Sequence, residues 1–183
     1  DFYGKDSFKI ASDFLDEHKY EYVSVNYPYG VTASKYGKVK RGVVNEENET
    51  IKSIVESEIG EENGKIIAKS LQTGEVFEIT NETPVAVNFF GLRKEFLNIL
   101  EKEFDLFIHG EVTLTNEFLL PEILKKCLVA EKKSGSMGIL IVLKSKVSPS
   151  SWIGMTYRED LDTVKNHINS LIERGDYPNE LWK

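Results

Sequence analysis

The sequence predicts one three-layer α/β domain with a mixed sheet, and three observations carry that prediction. Apolar strand-like runs alternate with amphipathic helical stretches along the chain. A middle portion of short β-branched segments, broken by Gly37, Asn48, Gly60, Gly64 and Gly74, reads as a β-hairpin insertion. Two runs, 85–91 and 139–143, are apolar enough to be covered on both faces, as central strands are. In such a sheet a ligand is expected at the carboxyl ends of the parallel strands.

The elements follow in order. Asp6 can accept from the first free backbone N–H groups of a helix over 7–18, in which Phe8, Ala11, Phe14 and Leu15 share a face. Residues 21–27 alternate as a strand rich in tyrosine and valine, and Pro28, Tyr29 and Gly30 end it with turn chemistry. Hairpin strands are predicted over 39–44, 51–56, 65–71 and 76–79. A helix over 93–107 sets Phe96, Leu97, Leu100, Phe104 and Phe107 at helical spacing. Pro121 fits the first turn of the next helix, which carries Leu124, Cys127 and Leu128. Thr156 and Glu159 read as a capping box for a last helix that repeats Leu161, Val164, Ile168, Leu171 and Ile172 and stops at Gly175.

Composition narrows the function classes. At 183 residues, with 40% hydrophobic and 29% charged side chains, the chain has the make-up of one soluble globular domain, and it holds neither a repeat nor a low-complexity tract. The single cysteine, Cys127, excludes an internal disulfide and a paired-cysteine zinc site and favours a cytoplasmic setting. No apolar run approaches the ~20 residues that cross a membrane. A formal charge of -7 argues against a broad nucleic-acid-binding face. The dinucleotide fingerprint, the phosphate loop, the Gly-x-Ser-x-Gly elbow and the His-Glu-x-x-His helix are all missing. His18, His109 and His167 share no ligand spacing.

A few residues stand out against that background. Lys35, Lys38, Lys40 and Arg41, interleaved with Tyr29 and Tyr36, form a basic cluster that is either a solvated hairpin edge or a contact for a phosphorylated ligand. Asn88 places a carboxamide in an apolar strand, where it must find a partner, structural or ligand, or cost about 1 to 3 kcal/mol. Glu56 closes a strand in the same manner, as a surface carboxylate or a ligand contact.

Four stretches, in this order and spacing, resemble one family. They are Asp1-Phe2-Tyr3-Gly4-Lys5-Asp6-Ser7-Phe8; Tyr36-Gly37-Lys38-Val39 with Arg41-Gly42-Val43; Val87-Asn88-Phe89-Phe90-Gly91 followed by Glu117-Phe118-Leu119-Leu120-Pro121; and Trp152-Ile153-Gly154-Met155-Thr156-Tyr157-Arg158-Glu159-Asp160 with the ending Tyr177-Pro178-Asn179-Glu180-Leu181-Trp182. Together they resemble nucleotidyltransferases of the sugar-nucleotide pyrophosphorylase type. The fold this implies is a glycosyltransferase-A-like α/β/α sandwich with a mixed, mostly parallel sheet and a β-hairpin insertion, incomplete at its N-terminus. The reaction it implies joins a nucleoside triphosphate to a sugar phosphate or similar phosphorylated acceptor and releases pyrophosphate, with Mg²⁺ on carboxylates neutralising the charge that builds on phosphorus.

The resemblance also implies roles. Asp1 matches one of two adjacent aspartates of which one holds the metal. Gly37 matches a glycine whose backbone approaches the sugar, while Glu56 and Asn88 match the pair that binds sugar hydroxyls. The lysine that often follows the glutamate is replaced here by Ser57 and Glu58, so that Arg41 or Lys40 is left to meet the acceptor phosphate. Gly154 stands where many relatives carry a second metal-binding aspartate, with Asp160 as a possible substitute. Thr156 leaves helix N–H groups near the expected phosphates. The glycine-rich triphosphate loop of the family has no counterpart among the 183 residues. The resemblance therefore implies the carboxyl-terminal, acceptor-binding part of such an enzyme. That part is expected to be inactive alone and to show a large apolar sheet edge unless an upstream half or an oligomer partner covers it. Two other readings stand beside it: a non-catalytic sugar- or nucleotide-binding module that keeps the fold, and a glycosyltransferase. The base and the acceptor, whether sugar phosphate or choline phosphate, stay open.

Overall fold

The computed structural model describes residues 1–113, 116–128, 141–155 and 157–180. Helix α1 (Lys5–Glu17) leads into β1 (Glu21–Pro28) and a single turn, α2 (Tyr29–Thr32). Then come β2 (Val39–Glu47), β3 (Thr50–Glu62), β4 (Lys65–Ser70), β5 (Val76–Ile79), β6 (Pro84–Ala86) and β7 (Phe90–Gly91). Helices α3 (Phe96–Ile108) and α4 (Leu120–Cys127) precede β8 (Val142–Val147), and α5 (Asp160–Glu173) follows it.

The sheet corrects the predicted fold class. Eight strands run in the order β2-β6-β1-β8-β3-β4-β5, with β7 beside β1. Among these named strands only β1 and β8 pair parallel; every other pairing is antiparallel, so the domain is not a mostly parallel three-layer sandwich. The physical reason lies between β2 and β5. Consecutive strands joined by tight turns can pair only antiparallel. Asn48 and Glu49 (φ 50° and 58°), and Asn63 and Gly64 (φ 53° and 76°), have the paired positive φ angles of two-residue hairpin turns. What the sequence suggests as an insertion supplies four of the eight strands. β2 also pairs with both β3 and β6, and Thr50 of β3 meets Lys144 of β8, so the strand neighbours β2, β6, β1, β8 and β3 close into a ring.

In that ring β1 has β6 and β7 on one side and β8 on the other. β1 is buried along its length apart from its two ends, because α1 covers Val23 and Val25 while α3 and α4 cover Tyr22. Its polar residues pair internally: Ser24 Oγ donates to Asn26 Oδ1 at 2.6 Å, and Asn26 Nδ2 donates to Ser145 Oγ on β8 at 2.9 Å. Exposed apolar side chains include Leu97, Phe104, Leu106 and Ile108 of α3.

The helices match the expected periodicities with local differences. α1 starts from Gly4, with Asp6 inside its first turn and Phe8 exposed, and Arg93 donates to the carbonyls of Leu15 and His18 at its other end. Pro121 sits in the first turn of α4 and Cys127 is buried. Gly175 (φ 75°) ends α5 with the Asp176 N–H bonded to Leu171 O at 2.9 Å, a Schellman closure. α5 begins at Asp160, whose Oδ2 accepts from the Tyr157 N–H at 2.8 Å, and the predicted capping box rests on Thr156, which lies outside the described residues. Of the predicted strand 139–143, Ile139 and Leu140 also lie outside them; Ile141 bridges Leu128 and β8 begins at Val142. No described helix is long and apolar enough to cross a membrane.

Candidate functional site

The sheet has a notch, and most of the sequence-predicted site residues border it. β6 pairs with β2 through Val85↔Val43 and Ala86↔Gly42, then leaves it. The chain turns at Asn88, whose φ of 62° lies in the left-handed region that asparagine tolerates better than most residues. Beyond Gly42, β2 is left without a β6 partner at Arg41 and Lys40. The gap is a cavity of about 80 Å³ bordered by Asp1, Lys40, Arg41, Gly42, Glu56, Ala86, Val87, Asn88 and Trp152.

Strand alternation puts different chemistry on the two sides. Glu56 lies opposite Gly42 in the β2–β3 ladder and therefore on the same face. Glycine is what makes room: a Cβ on Gly42 would stand 2.6 Å from Ile54 Cγ2 and 3.0 Å from Glu56 Oε1. The Glu56 carboxyl accepts no hydrogen bond from a described side chain. Its pKa is pushed up by burial first and by Glu122 second, with Arg41 opposing.

Arg41, opposite Ser57 in the same ladder, points to the other face. Its guanidinium lies 4.6 Å from the Trp152 ring, and it donates to Lys40 O at 2.7 Å and to Thr32 O at 2.9 Å. Burial lowers its pKa, while Tyr29, Glu56 and Asp160 favour its charge. Its Nε and the Trp152 Nε1 are buried donors with no hydrogen-bond partner among the described residues.

Asp1 reaches the notch through a two-residue ladder in which Phe2 N donates to Ile153 O at 2.8 Å and Ile153 N to Phe2 O at 3.1 Å. Tyr3 Oη donates to Val87 O at 3.1 Å and stands 3.5 Å from Asp1 Oδ2. Gly154 is packed under Asp1 and Trp152. The space that a second metal-binding aspartate would need is filled by the indole and by Asp1 itself.

These residues do not fit the implied Mg²⁺. Among the described residues no three His, Cys, Asp or Glu side chains gather as a metal site, and the carboxylates at the notch, Asp1 and Glu56, share it with a guanidinium.

Two expectations from the sequence fall elsewhere or change character. Gly37 (φ 156°) is not at the notch; it borders a neighbouring hollow with Tyr29, Lys35 and Lys38, and a Cβ on it would lie 2.6 Å from Tyr157 Oη. That hydroxyl donates to Lys38 O at 2.6 Å, so glycine is required by the close approach of Tyr157. Asn88 is exposed, not a buried amide in a continuous strand, and its backbone already accounts for an asparagine there. The basic cluster also disperses: Lys38 pairs with Glu62 at 2.8 Å, Lys35 lies over Tyr36, Arg41 turns inward and Lys40 stays at the notch. Gly42 was missed as a site residue, although a glycine inside a β-branched strand signals close approach.

No family model matches the chain, and no curated protein sequence matches it significantly.

Proposed function

We propose that the notch recognises the acceptor of a nucleotidyl-transfer reaction, a phosphorylated sugar or similar alcohol phosphate. In that reaction an acceptor phosphate oxygen forms a bond to the α-phosphorus of a nucleoside triphosphate. The bond to the β-phosphate oxygen breaks, and pyrophosphate leaves with the electron pair. The observation that carries this reading is convergence. Asp1, Arg41, Glu56 and Asn88, taken from well-separated parts of the sequence on the strength of the family resemblance, border one cavity.

The chain's own residues supply recognition. Glu56 offers over Gly42 a carboxylate that no described side chain bonds, Asn88 offers an amide at the mouth, and Lys40 an ammonium. At about 80 Å³ the notch takes an edge of a ligand, well under the ~300 Å³ of the smaller complete ligand sites. The triphosphate loop that transfer requires is absent from these residues. A non-catalytic binding module is the second reading, and the packing of Gly154 against Asp1 and Trp152 favours it.

Pyrophosphate release in the presence of Mg²⁺, measured over a panel of triphosphates and sugar phosphates with the longest natural form of the chain, separates the two. Turnover supports transfer; sugar-phosphate binding without turnover supports the module. If no sugar phosphate binds, both readings fail.

A further inference from the structure

The groove between α3 and the start of α4 has an apolar floor and an acidic rim. Leu106 and Phe107 of α3 border it together with Phe118, Leu119 and Ile123, and it encloses about 280 Å³. Ile123 is buried, whereas Leu106 is 63% and Leu119 43% exposed. Phe118 fixes the floor, its ring centroid 5.3 Å from that of Phe104 and 5.5 Å from that of Phe107. A contiguous concave apolar area of this kind differs from scattered exposed leucines, which need no explanation.

Charge selects the occupant. Glu103, Glu117, Glu122 and Lys126 also border the groove, and Lys126 is taken by Glu103 at 2.7 Å. Glu117 and Glu122 form no ion pair with a described residue. Glu122 also helps to raise the Glu56 pKa, so a cation beside it relieves two carboxylates at once. Residues 101–122 carry six Asp or Glu against one Lys. An anionic lipid surface, a nucleic acid or a second copy of this chain, at a net charge of -7, sets like charge against that rim. Lysines or arginines flanking apolar residues complement it.

Backbone chemistry selects the form. Strand addition needs a sheet edge, and none of the bordering residues belongs to a strand. The bordering side chains offer one donor, Lys126, already bonded to Glu103, so the carbonyls of a polyproline segment find no other side-chain donor there. A helix satisfies its own backbone. At ~30 Å³ per water-sized group, about 280 Å³ takes about nine such groups, which is two leucine-sized side chains. A helix presents two such side chains together at i and i+4.

We propose that the groove between α3 and α4 docks an amphipathic helix of a partner protein, two large apolar residues of which fill it while lysines or arginines beside them meet Glu117 and Glu122. This goes beyond the acceptor-site reading and does not depend on it.

The probe is a fluorescein-labelled amphipathic peptide of leucine and lysine, about four helical turns long. One control replaces every lysine by glutamate and the other every leucine by serine. Fluorescence anisotropy with the whole chain is expected to show the leucine–lysine peptide bound at least tenfold tighter than either control. Leu106→Ser and Leu119→Ser, both at exposed positions, are each expected to weaken it roughly three- to tenfold, and Glu117→Gln with Glu122→Gln by a similar factor. Val76→Ser on β5, where the valine is 59% exposed, and Glu47→Gln are expected to leave binding unchanged, with circular dichroism checking that every variant is folded. No binding, equal binding of either control, no loss in the groove variants, or an equal loss in Val76→Ser overturns the proposal. So does a free chain that sediments as a dimer and is split by Leu106→Ser, since a second copy then fills the groove. None of these measurements uses a nucleotide or a sugar, so failure of the acceptor-site reading leaves the result standing.

Discussion

Gly154 lies so close to Asp1 that a Cβ on it would stand 2.6 Å from Asp1 Oδ1 and 2.4 Å from the edge of the Trp152 ring. Gly154→Ala is therefore expected to displace the indole and to destabilise the fold by about 1 to 3 kcal/mol. Gly154→Asp, which restores the acid of the resembled family, is expected to destabilise further, since it adds a carboxylate beside Asp1. Urea denaturation of both variants checks this, and a stable Gly154→Asp protein would show that Trp152 has another place to go.

Arg41 ties three segments together through Thr32 O, Lys40 O and the Trp152 ring. Arg41→Ala leaves two carbonyls short of a donor and the indole uncovered, so a loss of about 2 to 4 kcal/mol is expected. Arg41→Lys keeps the charge without the planar fork and is expected to recover only part of that loss. A change below about 0.5 kcal/mol in Arg41→Ala, the range of ordinary surface substitutions, would remove the residue from the framework of the notch.

Asn88 has two separable roles. Its φ of 62° is available to glycine without penalty and to alanine only with strain of about 1 kcal/mol. Asn88→Gly is thus expected to match the parent in thermal stability, Asn88→Ala to fall below it, and both to bind the sugar more weakly. Equal stability of the two variants would contradict the left-handed turn, and full binding by Asn88→Gly would contradict a role for the amide.

Glu56 gives the pH dependence. Burial raises its folded pKa above the unfolded value, so the folded state binds the extra proton between the two. The resulting stabilisation is complete below the unfolded pKa and is lost as pH rises through the folded one. Glu56→Gln should therefore be more stable than the parent at neutral pH, with the difference shrinking as pH falls past the ordinary carboxylate range. Denaturation midpoints across pH 3 to 8 test the sign, and a variant less stable than the parent at neutral pH would mean that Arg41 outweighs burial.

Much of the local structure was legible in the sequence, because periodicity and turn chemistry are local. The strand at β5, Pro121 in the first turn of α4 and the glycine stop of α5 all follow from a few adjacent residues. Sheet direction was not, because pairing is a relation between distant segments. Alternating helices and strands suggest parallel neighbours, yet the hairpins after Asn48 and Asn63 set the direction of most of the sheet. The site was partly legible. Glu56 and Asn88 stand out in the sequence as polar residues closing or interrupting apolar strands, and both border the notch. Arg41 was placed in a basic surface cluster, whereas its guanidinium turns inward onto Trp152, a contact 111 positions away that no local pattern encodes. Asn26 escaped notice because a lone amide in an alternating strand looks solvent-facing until β8 covers it.

The parallel pairing of β1 with β8 bears on how the molecule is made. Glu21 meets Val142 and Asn26 meets Val147, so the central strand acquires one neighbour only when segments more than a hundred residues apart find each other. The β2–β5 hairpins can form within microseconds from local contacts, but closing the long loop onto β8 is entropically expensive and slow. During that interval the apolar β1 has an open flank, which makes the partly folded chain more prone to aggregate than the finished domain. Refolding yield should consequently fall with protein concentration more steeply than native solubility does.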